Sequence, residues 1–330
     1  MISILQLAGL DDANELLLAT TDESGQRRFL EFDWLSPLLE PLDPKRFRHR
    51  ILLYGGLKNP ISLNITPDLV YNSVSNPDRC SQALKQAQHA AKNNPYPFIN
   101  HPAIVSNTRA DNLFRIAASI NDMIVPKCIR ITPNSLSNLR STLNESALSA
   151  PLLFEEAGTS SNSKNSFLLE KMEDLHRIEC FAFDWRAYYV TQFVDYRSDD
   201  GLYRKYRFFF IGNKILPGHL IISDKWEIQN DLQAHLGVVE SISAIEKEEQ
   251  EFLKAYQKKR LPPLLYLQEK MGLDFFAIDC SFNIKGDLLL FKVDCDAHYM
   301  DNLKTEGYYN IKQINHFNEA IDKKTINKLN

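Results

Sequence analysis

A strand with cations on one face and aromatic rings on the other constrains this chain more than any other feature. Between Arg204 and Ile211 the residues alternate, with Lys205 and Arg207 on one side and Tyr206, Phe208 and Phe210 on the other, because successive side chains of a strand point to opposite faces. Gly212 and Asn213 then supply a tight turn into a second strand at Lys214 to Leu216, the strongest hairpin signal in the chain. Two later apolar runs, Phe275 to Cys280 and Asp287 to Val293, pair as strands and carry Asp279 and, just beyond the second, Asp294. Lys205 and Arg207 then share one strand face, with carboxylates on a later strand pair. A guanidinium facing strand-borne carboxylates suits phosphate and hard-metal chemistry.

The chain has 330 residues, 44% hydrophobic and 24% charged, enough for two or three packed subdomains and without the composition of global disorder. No run approaches the ~18 apolar residues of a membrane helix, and Met1 to Leu5 lacks the basic head and cleavage pattern of an export signal. A cytoplasmic protein without a membrane partner is expected. Cys80, Cys128, Cys180, Cys280 and Cys295 are widely spaced, odd in number and without a C-x-x-C pair, which argues against a disulfide framework and a structural zinc site. The net charge of −4 gives no case for nucleic-acid binding. The one dense basic patch, Lys45 to Arg50, runs into the apolar strand Ile51 to Tyr54 and reads as its solvated lead-in.

Fold class is α/β to α+β, in three parts. Residues 1–105 form an N-terminal α/β domain, with strands at Met1 to Leu7, Glu15 to Thr20, Ile51 to Tyr54, Pro67 to Asn72 and Phe98 to Pro102, and a helix at Asp78 to Lys92. Residues 106–190 form a small central lid. A helix at Thr108 to Ile120 leads into it, followed by a strand at Cys128 to Ile131, a helix at Ser135 to Leu143, a strand at Pro151 to Phe154 and a polar loop at Gly158 to Ser166. Tyr188 to Val194 closes the lid with a strand. Residues 191–330 hold the hairpin, a solvated helix at Glu246 to Arg260 stopped by Pro262 and Pro263, a helix at Leu265 to Met271, the two acidic strands and a polar tail.

This order, with Pro67 to Asn72, Phe98 to Pro102, Thr108–Arg109, Val125–Pro126, Pro151 to Leu153, Asp200 to Arg207, His219 to Ser223 with Trp226, and Gly272 to Asp279 in line, resembles the ATP-grasp superfamily, which includes glutathione synthetase and D-alanine ligases. It is most similar to the ATP-grasp-like module of some bacterial tetratricopeptide-repeat proteins, though the repeats themselves are absent here. The resemblance implies an ATP-grasp fold in which ATP lies between two α+β subdomains and a carboxylate is activated as an acyl phosphate before an amine attacks. It implies that Gln192, Phe193 and Val194 meet the adenine, that Asp195 reaches the ribose, that Arg207 and Lys205 face the phosphates, and that Asp279 and Asp294 ligate Mg2+. Bland readings compete: Arg207 or Lys205 as a surface residue, Asp195 as a turn residue, Asp294 and Asp296 paired with Lys292 and Lys285, His219 as a satisfied core histidine, and Trp226 as packing.

Three positions depart from the family's pattern. Glu155 and Glu156 follow the strand where a cation is usual, Asn112 stands where a helix lysine is usual, and Lys292 replaces the first carboxylate of the terminal metal motif. A carboxylate about 4 Å from a phosphate oxygen costs roughly 1 to 4 kcal/mol. The resemblance implies that Lys292 offsets it by standing where a second magnesium would otherwise sit, and that Lys164 in the polar loop reaches the phosphates. Two functions follow: a carboxylate-amine ligase acting on an amino acid, peptide or small acid, or a catalytically degenerate relative that binds a peptide or protein partner of an active ligase. A homodimer is expected by analogy alone.

Overall fold

A computed structural model describes residues 1–12, 19–21, 27–29, 39, 42–55, 66–92, 94–158, 166–181, 183–228, 242–256, 261–295, 297, 319 and 322–328. Strands β1 (Ile2–Gly9), β4 (Phe47–Tyr54), β5 (Leu69–Asn72) and β6 (Phe98–Ile99) form a parallel sheet in the order β4-β1-β5-β6. All four residues of β5 are buried, as expected of a parallel strand covered on both faces. Helix α1 (Ser81–Lys92) covers the sheet with Ala83, Leu84, Ala87 and Ala91. Arg48, His49 and Arg50 lie inside β4 rather than leading into it, because β4 pairs with β1 from Phe47 onward. A separate antiparallel pair joins β2 (Ala19–Thr21) to β3 (Arg27–Phe29).

Two short helices, α2 (Pro102–Val105) and α3 (Ala110–Ala117), lead to β7 (Met123–Ile124). The lid sheet follows, with β8 (Cys128–Ile131), β9 (Leu152–Glu156), β10 (Ser166–Leu169) and β11 (Tyr188–Gln192) in the antiparallel order β10-β9-β11-β8. Helix α4 (Leu136–Glu145), capped by the Ser135 hydroxyl accepting from Asn138 N, and a 3-10 helix at Met172–Cys180 pack on it. Glu155 and Glu156 belong to β9, since β11 pairs along it as far as Glu156 and β10 as far as Glu155. The polar loop falls mostly on residues 159–165, Lys164 among them, which lie outside the described residues.

The third sheet runs β13-β12-β14-β15-β7, from β12 (Tyr203–Ile211), β13 (Lys214–Ser223), β14 (Phe275–Phe282) and β15 (Leu288–Asp294), antiparallel except for the β15–β7 edge. β13 is far longer than the turn signal implied and reaches Ser223, with eight of its ten residues buried. Helix α5 (Ile242–Tyr256) covers it, with Phe252 edge-on to Tyr206 and Phe208. Pro262 and Pro263 open α6 (Pro262–Met271) rather than merely ending the helix before it, a position where a missing N–H costs nothing. Gly272, at φ +62°, ends α6 in the left-handed conformation that glycine adopts freely. On the aromatic face of β12, Phe210 stacks on Phe276 at 4.2 Å. Among the described residues no helix is long and apolar enough to cross a membrane.

Candidate functional site

A cleft of about 420 Å³ opens between the lid sheet and the third sheet. Its floor is the polar face of β12 and β14. Arg207 stands directly across from Asp279 in the strand register, and the register breaks beside both residues. Between Tyr206 and Phe208 the partner strand sets two residues, Gly218 and His219, against Arg207, and between Asp279 and Cys280 it supplies the extra Phe291. Such bulges bend a strand and re-aim side chains. The first requires Gly218, because a Cβ there would stand 2.7 Å from the Phe209 ring and 3.0 Å from Arg207 O. The second brings Lys292, instead of Phe291, opposite Asp279.

Arg207 Nη2 donates to Asp294 Oδ2 at 2.7 Å, and its Nη1 lies 3.7 Å from Asp279 Oδ1. Its side chain is only 9% exposed and lies over the Phe209 ring. Lys205 is also buried, with Nζ donating to Ile228 O at 2.8 Å. Burial pulls its pKa down, partly offset by Asp279. Burial alone would raise the pKa of Asp279, but Arg207, Lys205 and Lys292 outweigh it and hold the carboxyl below its usual range. His219, buried on β13, is pushed down to about 3 by burial and by Arg207, so it is neutral at ordinary pH. From the lid, Glu155 lines the cleft with its side chain still exposed to solvent; the protein packed around the cleft raises its pKa, opposed by Lys292 and reinforced by Glu227.

The hinge end of the cleft is apolar and aromatic. Phe193 meets Trp226 edge-on at 5.7 Å, and Tyr196 packs on Phe291 at 4.9 Å while its hydroxyl donates to Trp226 O. Val125, Leu153, Val194, Ile228 and Leu289 complete the wall. The hinge main chain is tied down, with Gln192 N donating to Lys127 O and Phe193 N to Pro151 O. Cys128 also lines the cleft; burial pushes its thiol up to about 12, which leaves it protonated and without nucleophilic character. At the opposite end, the N-terminal part contributes Asn76 and Asp78, with Arg109 at the start of α3. Asp78 accepts from Arg130 Nε at 2.9 Å and from the Tyr189 hydroxyl, both on the lid.

No family model and no curated protein matches the sequence. Solved structures do match over nearly the whole chain. The VanG D-Ala:D-Ser ligase of Enterococcus faecalis superposes with a TM-score of 0.56 at 12% identity, covering 100% of this chain and 99% of that one. The D-alanine–D-alanine ligase of Bacillus anthracis complexed with ATP superposes with a TM-score of 0.54 at 11% identity, covering 100% and 97%. This chain has the ATP-grasp fold. A third neighbour is the macrocyclase MdnC of Microcystis aeruginosa bound with precursor peptide MdnA, at a TM-score of 0.51 and 13% identity, covering 99% and 100%.

Within this ATP-grasp cleft, Lys205, Gln192, Phe193, Val194, Asp279 and Asp294 line the wall, while Arg207 lies behind it, bound to the two carboxylates. Asp195 is outside the lining residues and grips Arg197 in a bidentate ion pair. Asp296 falls outside the described residues. Asp78, Tyr189 and Glu227 carried no signal in the sequence. Tyr189 is one residue of an apolar run, Asp78 reads as the opening of the helix that the structure starts at Ser81, and Glu227 sits in a short polar connection.

Proposed function

We propose that this chain is an ATP-dependent ligase that joins a carboxylate to an amine. The polarity of the cleft carries the reading: an aromatic slot at the hinge suited to a purine ring, and ammonium groups of Lys205 and Lys292 on the wall beyond it. With the Gln192 and Phe193 N–H groups already bonded, main-chain contact to the ring falls to Val194 and to carbonyl groups. A ribose contact by Asp195 requires its ion pair with Arg197 to open. A carboxylate oxygen of the acid attacks the γ-phosphorus, the bond to the β-phosphate oxygen breaks, and ADP leaves. The amine nitrogen then attacks the acyl carbon, inorganic phosphate departs, and the amine gives up a proton. Lys205, buried and held in place by Ile228 O, supplies fixed positive charge where the phosphoryl oxygens gain negative charge.

Magnesium suits this donor set poorly. Both candidate ligands, Asp279 and Asp294, are engaged by Arg207. Asp279 Oδ1 accepts no hydrogen bond but is buried beside the Arg207 guanidinium, and a magnesium ion seeks about six oxygen ligands in octahedral array. Among the described residues no group of three metal-ligating side chains forms. A divalent ion roughly 5 Å from an ammonium such as Lys205 is repelled by about 7 kcal/mol at an effective dielectric near 20. No step of the reaction is routed through the metal here.

The substrate class carried with this reading is an amino acid, a small acid or a peptide, in keeping with neighbours named as D-Ala:D-Ser ligase and as a macrocyclase bound to a precursor peptide. A degenerate relative that holds a peptide or protein partner is the second reading. It is favoured by Glu155, which β9 brings into the cleft where it interacts with Lys292. The test is ADP formation from ATP across a panel of acids and amines, with hydroxylamine to trap an acyl phosphate. Turnover should require both partners and fall at least about a hundredfold in Lys205→Met, the scale expected for losing a stabilising charge. If no acid–amine pair produces ADP above the Lys205→Met background, the ligase reading fails and the second reading takes its place.

A further inference from the structure

The charged end of the cleft is neutralised from within the chain. Asp294 and Asp279 are both held by the one guanidinium of Arg207, at 2.7 and 3.7 Å. The β15 bulge places Lys292 across from Asp279, where an unbroken register would have placed Phe291. Lys205 lies on the same strand face as Arg207 and takes part in the electrostatics of the same group. Arg207, Lys205 and Lys292 therefore surround Asp279 and Asp294, while Glu155, itself near Glu227, faces Lys292 from the lid.

This balance discriminates between two kinds of visitor. A divalent cation at Asp279 and Asp294 must displace Arg207 from a charge-assisted hydrogen bond and then sit among like charges. A polyphosphate leaves those contacts of Arg207 intact and meets the two ammonium groups that line the cleft, those of Lys205 and Lys292. Lys292 is the more exposed of the two, so it can follow a phosphate without breaking a buried contact. Its acidic neighbour Glu155 is drawn to it from the lid, and a phosphate arriving between them competes for the same ammonium.

We propose that this chain binds its nucleoside triphosphate without a divalent cation, with Lys292 and Lys205 neutralising the phosphates and Arg207 keeping Asp279 and Asp294 occupied. The assignment rests on the nucleotide reading of the cleft given above. Its test is calorimetric titration of the full chain with ATP in EDTA, repeated in magnesium chloride, with magnesium chloride alone as the baseline.

The expected result is a dissociation constant in EDTA within about threefold of that in magnesium. Tightening by magnesium of about tenfold or more means that metal and nucleotide binding are coupled. That outcome overturns the metal-free assignment while leaving the nucleotide site standing. Absence of ATP binding in both buffers overturns the nucleotide reading and this assignment together. Lys292→Met should weaken ATP binding in EDTA by at least about tenfold and Lys292→Arg should restore it, since either cation can face a phosphate. Wild-type affinity in Lys292→Met removes Lys292 from the assignment.

Discussion

His219 is enclosed by the sheet that carries it, facing Arg207 and Lys205 on β12 and Asp279 on β14. Burial and the two cations disfavour its charged form, and Asp279 offsets them only in part, so the folded imidazole stays neutral down to about pH 3. In the unfolded chain an ordinary histidine takes up a proton near pH 6.5. Between those limits the unfolded state binds more protons, so stability falls as pH falls, by about 1.4 kcal/mol per unit well below pH 6.5. Asp279 acts in a different window. Its cations hold it below the usual carboxylate range against the effect of burial, so its contribution is complete above about pH 4 and is lost only below that. Urea midpoints of wild type and His219→Gln, measured from pH 7 to pH 5, should therefore diverge in slope, with the wild type losing stability faster on acidification. Parallel slopes would show that His219 is protonated in the folded protein. Arg207 is the other residue on which the group depends, because removing one partner of a buried pair costs roughly 3 to 5 kcal/mol. Arg207→Ala is thus a stability variant before it is a test of catalysis.

At the scale of elements, two bulges decide which side chains meet. Gly218 permits the first, and Gly218→Ala forces a methyl group against the buried Phe209 ring and the Arg207 carbonyl. Overpacking of this kind costs about 1 to 3 kcal/mol. The variant's urea midpoint should drop accordingly, and an unchanged midpoint would mean that the strand pair relaxes freely. The bulges also mark where reading the sequence stops. Alternation along β12 was legible, so Lys205 and Arg207 could be placed on one polar face opposite Tyr206, Phe208 and Phe210. Asp279 and Asp294 were legible as strand carboxylates, but their shared engagement by Arg207 depends on a register that shifts at Phe291, and no periodicity announces an inserted residue. Glu155 and Glu156 read as the exit from a strand because charge follows an apolar run. They remain in β9 because pairing with β11, and at Glu155 with β10 as well, satisfies their main chain regardless of side-chain polarity. The pairing between Asp78 and Tyr189 spans distant parts of the chain and leaves no local trace at all.

For the molecule as a whole, the continuity of the apolar core separates what is rigid from what can move. One core joins Leu5, Leu7 and Val70 of the first sheet with Phe208, Phe210 and Phe276 of the third, and a second joins Ile4, Leu69 and Ile99 with Phe209 and Phe275. Asn100 reinforces the junction; its Nδ2 donates to Phe275 O and Cys295 O, and its Oδ1 accepts from Asp274 N and Phe275 N. The lid core, from Ile131 to Val190, contains residues of the lid alone. Covalent attachment at the hinge apart, the lid meets the first part of the chain through polar contacts at Asp78, whose carboxylate takes the Tyr189 hydroxyl and Arg130 at once. Polar contacts of this sort exchange with water at small net cost, whereas parting an apolar core exposes its whole surface. Opening of the cleft therefore parts the Asp78 contacts together with the hydrogen bond from the Ser166 hydroxyl of the lid to Glu227 beyond β13. Asp78→Ala should speed amide exchange in β8 and β11, which carry Arg130 and Tyr189, and leave exchange in β12 and β14 unchanged, because those strands open only with the shared core. Uniform acceleration across all four strands would show that the lid and the third sheet unfold as one unit. Unchanged exchange everywhere would show that the lid is held by its hinge and by Ser166 on Glu227 rather than by Asp78.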